Sequence, residues 1–298
     1  DGQAIYEAIA VGDVRDAADL LRGVYDEADG ADGLASIEVE PALATDTEGT
    51  LARARALWAA VGRPNIFVKI PATPAGLPAI EAAIAEGINV NVTLMFSVEV
   101  YRDVARAYLR GLRRRLAAGE DLRRVVSVAS FFVSRVDTKV DKALDAMGTP
   151  EAAAARGTAA VANAQLAYQA YLEIFEGTEF AELRAAGARV QRCLWASTSA
   201  KDPAYRDVKY AEALIGPDTV DTMPRETIAA MLDHGALART LDADFAGAAA
   251  AIATIEALGI SMEQVTDELI DEGVRAFSAS FDELIGTIEA TRRALATA

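Results

Sequence analysis

Lys69 lies in the apolar run Asn-Ile-Phe-Val-Lys-Ile-Pro-Ala-Thr, residues 65–73, and an amine in such surroundings has a particular chemical use. Side chains alternate faces along a strand, so Phe67 and Lys69 share one face while Ile66, Val68 and Ile70 share the other. Desolvation disfavours an ammonium, and a lysine turned inward holds more of the free amine that attacks a carbonyl to form a Schiff base. The plainer reading is a strand-end lysine that snorkels to solvent or pairs with a carboxylate. Polar residues near the ends of the neighbouring apolar runs favour the chemical reading: Glu38 as a general acid or base, then Asn91 with Thr93, Ser130 and Ser197. Taken singly, Glu38 could be an edge carboxylate paired with an arginine, and the others could fill a barrel interior.

A second set suits an anion. Arg135 and the segment Ala-Ser-Thr-Ser-Ala-Lys, residues 196–201, offer a guanidinium fork, hydroxyls, backbone amides and an ammonium. Together these match a phosphoryl group, the alternative being a solvated loop. The sequence has neither a Walker-type Gly-rich loop nor a dinucleotide fingerprint.

Other chemistries are excluded by composition. One histidine, His234, and one cysteine, Cys193, leave no His/Cys set for zinc and no intramolecular disulfide. No metal and no cofactor are expected. His234 precedes Gly235 at a helix end and is expected to cap carbonyls. The cysteine usage points to a reducing compartment, hence the cytoplasm. A net charge of −16 opposes a nucleic-acid or anionic-membrane partner. The opening residues carry no secretory pattern, and no apolar run reaches the roughly 18 residues of a membrane span. The Ala-rich stretch from Phe245 to Ile260, interrupted by Glu256, reads as a packed helix. Of the 29 basic residues only Lys69, Lys139, Lys142, Lys201 and Lys209 are lysines, so a retained amine suggests that its deprotonation is used.

The elements that position these residues alternate. Strands are expected at Leu34–Glu40, Asn65–Pro71, Ile88–Phe96, Val125–Val133, Arg189–Thr198 and Thr219–Met223. Helices are expected at Val11–Tyr25, Glu48–Val61, Leu77–Glu86, Val98–Ala118 with Ser97 as its cap, from Arg135, Pro150–Phe175, Pro203–Ile215, from Pro224, and from Ala243 to the end. This order implies parallel pairing with helical crossovers. Polar residues at the same end of five successive strands suit a closed (β/α)8 barrel, whose sites lie there, although six strands are legible where that barrel has eight. No composition shift divides the chain, so residues 1–298 read as one domain.

Phe-Val-Lys-Ile-Pro-Ala-Thr, Gly-Ile-Asn-Val-Asn-Val-Thr-Leu-Met-Phe-Ser, Ser-Val-Ala-Ser-Phe-Phe-Val-Ser-Arg-Val-Asp, Leu-Trp-Ala-Ser-Thr-Ser-Ala-Lys-Asp-Pro and Asp-Glu-Gly-Val-Arg-Ala-Phe are similar to motifs of one family. Over nearly its whole length the chain resembles the transaldolases, most closely the longer bacterial type found in actinobacteria. The resemblance implies a TIM barrel of the class I aldolase kind, with strands three to eight present here and extra helices at the C-terminal end. It makes Lys69 the imine-forming residue and Glu38 with Thr93 the pair handling the catalytic water. Asn91 and Ser130 would contact the dihydroxyacetone unit, Phe132 would line the site, and Arg135 with Ser197 would hold the sugar phosphate. The family often places an arginine just after the serine matching Ser197; here Ser199 and Lys201 stand instead, and Lys201 is taken to supply the second positive charge.

The family's first two barrel strands, one carrying a proton-removing aspartate and the other an asparagine ligand, have no counterpart in these residues. About two βα units are therefore expected before residue 1. The implied reaction moves a dihydroxyacetone unit from sedoheptulose 7-phosphate or fructose 6-phosphate to glyceraldehyde 3-phosphate or erythrose 4-phosphate, in the non-oxidative pentose phosphate pathway. The partners are sugar phosphates, and the oligomeric state, monomer or homodimer, stays open. The alternatives are an aldolase that releases free dihydroxyacetone through the same lysine, and an inactive sugar-phosphate-binding barrel.

Overall fold

In the computed structural model, which describes residues 1–296, six strands form one parallel sheet whose spatial order is the order of the chain. The strands are β1 (Ala35–Glu38), β2 (Ile66–Pro71), β3 (Val90–Met95), β4 (Ser127–Phe132), β5 (Arg192–Ala196) and β6 (Thr219–Asp221). The helices are α1 (Gly2–Glu27), α2 (Thr47–Val61), α3 (Gly76–Ala85), α4 (Val98–Ala117), α5 (Ser134–Met147), α6 (Pro150–Ala155), α7 (Ala159–Tyr171), α8 (Ala181–Ala185), α9 (Lys209–Ala213), α10 (Arg225–His234), α11 (Phe245–Ala257) and α12 (Met262–Ala296). A parallel strand needs a crossover to return, which is why a helix or a helical segment stands between each pair. The arrangement is that of six consecutive strands of a (β/α)8 barrel with additional C-terminal helices. Among the described residues β1 pairs only with β2 and β6 only with β5, so the sheet is open along those two edges.

Burial follows from this layering. Every residue of β3 and β4 is buried, as expected where helices cover one face and the concave side of the sheet lies on the other. In β2 all residues are buried except Lys69. The outer layer is made by α2, α3 and α4 packing in succession, while α7 lies against α4 and α11. Ser97 caps α4 as expected, accepting from Val100 N at 3.1 Å. The Ala-rich segment forms α11, packed on α7 with Ile255 buried. No single helix among the described residues is long and apolar enough to cross a membrane.

The two ends of the sheet differ in their polar chemistry. Where the strands begin, buried amides stitch neighbours together. Asn65 Nδ2 donates to Ala18 O and Gly33 O, and Asn89 Nδ2 donates to Pro64 O and Ile66 O while its Oδ1 accepts from Val126 N. Gln191 Nε2 donates to Ser127 Oγ at 2.8 Å. Those groups spend their hydrogen bonds on the fold. At the opposite end the polar side chains turn toward one another, and the candidate site lies there.

Several expected boundaries shift. The first helix is one continuous element, Gly2–Glu27, and the strands are shorter than their apolar runs. The run expected as a helix over Pro150–Phe175 is broken at Arg156, because Gly157 adopts φ +69°, a left-handed conformation that ends α6. Alanine fits either side of such a break, so composition does not reveal it. Between Pro203 and Ile215 only α9 is helical. The C-terminal region divides at Leu258–Ser261, where the Ser261 hydroxyl accepts from Gln264 N at 3.2 Å and starts α12.

Candidate active site

Register builds the first part of the site. Glu38 stands opposite Lys69, and Lys69 opposite Asn91, so the three side chains form a row across β1, β2 and β3 on one face. Lys69 Nζ lies 3.3 Å from Glu38 Oε2, and the side chains are 24% and 28% exposed. This pair is open enough for a substrate to reach and sheltered enough to perturb a carboxyl group. Burial raises Glu38 above the usual carboxylate range, and the Lys69 charge and hydrogen bond oppose that rise.

Asn91 is fixed from both sides. Ser130 Oγ donates to its Oδ1 at 2.6 Å, and its Nδ2 donates to Ser36 Oγ at 3.3 Å. After Val92 the register of β3 against β4 shifts, with Leu94 at φ +57°, a backbone state that a leucine holds only when its surroundings impose it. Thr93 sits in this irregularity, fully buried, its hydroxyl without a hydrogen-bond partner among the described residues. Leaving such a group unpaired costs about 1–3 kcal/mol, which a bound polar species would recover.

The second part joins the ends of β4 and β5. Phe132 is buried against Phe96, with ring centroids 5.2 Å apart, and carries the Arg135 guanidinium 5.2 Å above its own ring. Ser134 N donates to Ser197 O at 3.0 Å, and the two hydroxyls are 2.9 Å apart. Ser197 has φ +57°, and the next residue, buried Thr198, donates to Asp221 Oδ1 at 2.7 Å. Burial pushes the Asp221 carboxyl up to about 6. Arg135 and Ser197 thus flank one junction between strand ends.

Lys201 has local contacts of its own. Its Nζ donates to the Ser199 hydroxyl at 2.6 Å, and it lines a cavity of about 320 Å3 with Asp141, Lys142, Arg156 and Tyr205, a lining that does not include Arg135. Another cavity, of about 310 Å3, lies at the beginnings of the strands among Leu34, Phe67, Val128, Arg189 and Arg192. Its lining contains none of the groups suited to imine chemistry.

His234 makes contacts other than the expected ones: its ring nitrogens lie 2.9 Å from Asp207 and 3.1 Å from Asp233, which raise its pKa. Cys193 is buried, and burial pushes its thiol to about 12. Among the described residues no group of three or more His, Cys, Asp or Glu is placed to hold a metal ion.

Four participants were not singled out from sequence. Ser36 shares the face of Glu38 at strand spacing, a signal that was present. Ser134 adjoins Arg135, and Asp221 closes the last apolar strand. Phe277, whose ring centroid lies 5.9 Å from Lys69 Nζ, closes the Asp-Glu-Gly-Val-Arg-Ala-Phe motif on α12, but nothing in that motif pointed to Lys69.

The sequence model of the Transaldolase/Fructose-6-phosphate aldolase family matches residues 1–288. Transaldolase 1 of Streptomyces coelicolor is 52% identical over 291 residues, which cover 96% of this chain and 76% of that protein. The transaldolase of Thermobifida fusca is also 52% identical over 291 residues, covering 96% and 79%. The transaldolase of Mycolicibacterium smegmatis is 50% identical over 298 residues, covering 98% and 80%. Sequence identity at this level over nearly the whole chain agrees with the lysine-centred row at the strand ends, and the chain belongs to the transaldolase/fructose-6-phosphate aldolase family.

Proposed function

We propose that this protein is a transaldolase in which Lys69 carries the dihydroxyacetone unit as a Schiff base between a ketose phosphate donor and an aldose phosphate acceptor. The observation that carries the reading is the Lys69–Glu38 pair: the one partly exposed residue of an otherwise buried strand, 3.3 Å from a carboxylate whose proton affinity burial has raised. A carboxyl group so tuned exchanges protons near neutral pH more readily than an ordinary one.

The Lys69 amine attacks the ketose carbonyl, and Glu38 moves the proton with which water leaves. Thr93, whose buried hydroxyl lacks a hydrogen-bond partner among the described residues, helps hold that water. The protonated imine withdraws electrons, so the carbon–carbon bond beyond it breaks once the neighbouring hydroxyl loses its proton. The first aldehyde leaves and an enamine remains on Lys69. Addition of the second aldehyde reverses these steps. Asn91 and Ser130 bind the hydroxyls of the three-carbon unit, and Phe132 forms a wall of the site. Arg135 and Ser197 hold the phosphate. Lys201 is the candidate for the second cation, and its role is to be tested beside that of Arg135. Residues 1–298 act as one domain in this reading, and its setting is the cytoplasm, in keeping with one buried, unpaired cysteine.

Borohydride reduction during turnover of fructose 6-phosphate tests the assignment. It should fix a substrate-derived mass on Lys69, and Lys69→Arg should keep the fold but lose both the adduct and the activity, since its guanidinium cannot form the imine. Label on another lysine, or an active Lys69→Arg protein, would refute the role.

A further inference from the structure

One side of the Lys69 site is closed by a segment far along the chain. The α12 helix lies over the ends of β1 to β3, and its Phe277 ring centroid is 5.9 Å from Lys69 Nζ. Between Glu38, Pro71, Leu94, Val274 and Phe277 only about 10 Å3 remains. That is the least space that holds one water molecule. On this side Lys69 meets the Phe277 ring and the Glu38 carboxylate, and both of those residues also line a more open cavity of about 210 Å3 with Tyr6 and Phe281.

The helix is tied down where the site needs it. Lys139 of α5 binds Glu268 at 2.8 Å and Glu272 at 2.7 Å, both on α12. One residue further on, Gly273 lets the helix backbone approach Leu94: a Cβ there would come within 2.9 Å of Leu94 Cδ2. Beyond the site Phe281 packs edge-on against Tyr6 of α1, with centroids 5.2 Å apart. Phe277 stands between these anchors, half-buried, pointing its apolar body at a cation that it can also attract through its ring face.

We propose that Phe277 is a specificity-determining residue, keeping water from the enamine on Lys69 so that its nucleophilic carbon meets an aldehyde before it meets a proton. The proposal rests on the Schiff-base reading above. The step it suppresses is defined. Water gives a proton to the enamine carbon, and the enamine electron pair forms the new carbon–hydrogen bond. The hydroxide adds to the resulting imine carbon, the carbon–nitrogen bond breaks, and dihydroxyacetone leaves with Lys69 restored as the amine. One water is consumed and no other reactant is needed. The Phe277 ring slows the first of these events by removing water from its own side of Lys69, while an aldehyde reaches the enamine from the side left exposed.

The experiment compares the full-length protein with Phe277→Leu and Phe277→Ala. Each receives fructose 6-phosphate alone, with free dihydroxyacetone measured, and then fructose 6-phosphate with erythrose 4-phosphate, with sedoheptulose 7-phosphate measured. The quantity read is the ratio of release to transfer, which cancels any loss of folded protein. It should rise about tenfold or more in Phe277→Ala and less in Phe277→Leu. An unchanged ratio, with both rates falling together, overturns the proposal and leaves the Schiff-base reading standing. Absence of a borohydride adduct on Lys69 in the unaltered protein overturns both.

Discussion

Ser130 donates its hydroxyl to the side-chain oxygen of Asn91 over 2.6 Å, and this bond decides which way the Asn91 amide faces. With Oδ1 occupied, Nδ2 is the end directed at Ser36. A substrate hydroxyl arriving here meets an oriented donor. Ser130→Ala should release the amide and leave a buried acceptor unpaired, at a cost of about 1–3 kcal/mol in urea unfolding. It should also raise the KM for the ketose while leaving discrimination for phosphate intact. If stability falls but KM holds, Asn91 is structural.

Arg135 stacks on Phe132 beside the Ser134–Ser197 junction, so its guanidinium is held before any ligand binds. Arg135→Ala should raise the KM for phosphorylated sugars about tenfold to a hundredfold, the worth of a charge-assisted contact, and change that of an unphosphorylated ketose little. Steady-state kinetics on the two kinds of substrate check this, and equal losses on both would show that Arg135 acts on the fold or the chemistry. The same comparison on Lys201→Ala shows whether that lysine contributes.

Asp221 carries a pH signature. Its carboxyl titrates at about 6 in the folded chain against 3.8 for an ordinary aspartate, so the folded form binds the proton more tightly. The stability this adds is fully present below about pH 4 and is lost as the pH rises through about 6. Asp221→Asn removes the titration, and its melting temperature should fall less between about pH 4 and 7 than that of the unaltered protein. Parallel melting curves for the two proteins would show that Asp221 does not titrate in this window.

A charge pair with a buried carboxylate and a partly exposed lysine holds the outer layer beside α5. Asp137 is 1% exposed and accepts from Lys209 Nζ at 2.9 Å, Tyr210 OH at 2.9 Å and Ala160 N at 2.7 Å. Lys209→Met strands that carboxylate and should cost about 3–5 kcal/mol, measured by denaturant unfolding. Adding Asp137→Asn should recover part of the loss, and a double variant no better than the single one would argue that packing of the lysine stem dominates.

What could be read from the sequence depended on distance along the chain. Strand alternation alone placed Lys69 and Phe67 on one face, and the parallel register then put Glu38 and Asn91 beside that lysine. Adjacent strands in chain order make such groupings predictable. The helix break at Arg156 was hidden, because alanines on both sides carry no periodic signal. Phe277 was visible only as the last residue of a motif: its partner Lys69 belongs to another strand–helix unit, and the motif itself does not record that contact. The partners of Lys201, which are Ser199 and the residues lining its cavity, likewise depend on how the loop after Thr198 turns, which composition does not specify.

The strand order also sets how the molecule can assemble. Each strand pairs with the one just made, so the sheet can extend unit by unit as the chain leaves the ribosome, with each addition closing a modest loop. Glu38 meets Lys69 early, and Asn91 and Ser130 follow in turn. The α12 helix follows all six strands in the chain and reaches back to α1, Glu289 accepting from the amide of Gly2 and Phe281 meeting Tyr6. That contact closes a loop of most of the described residues and carries a correspondingly large ordering entropy. In this order Lys69 is laid bare on a nascent chain until α12 docks, and the docking of that helix marks the moment at which the Lys69 amine is sheltered.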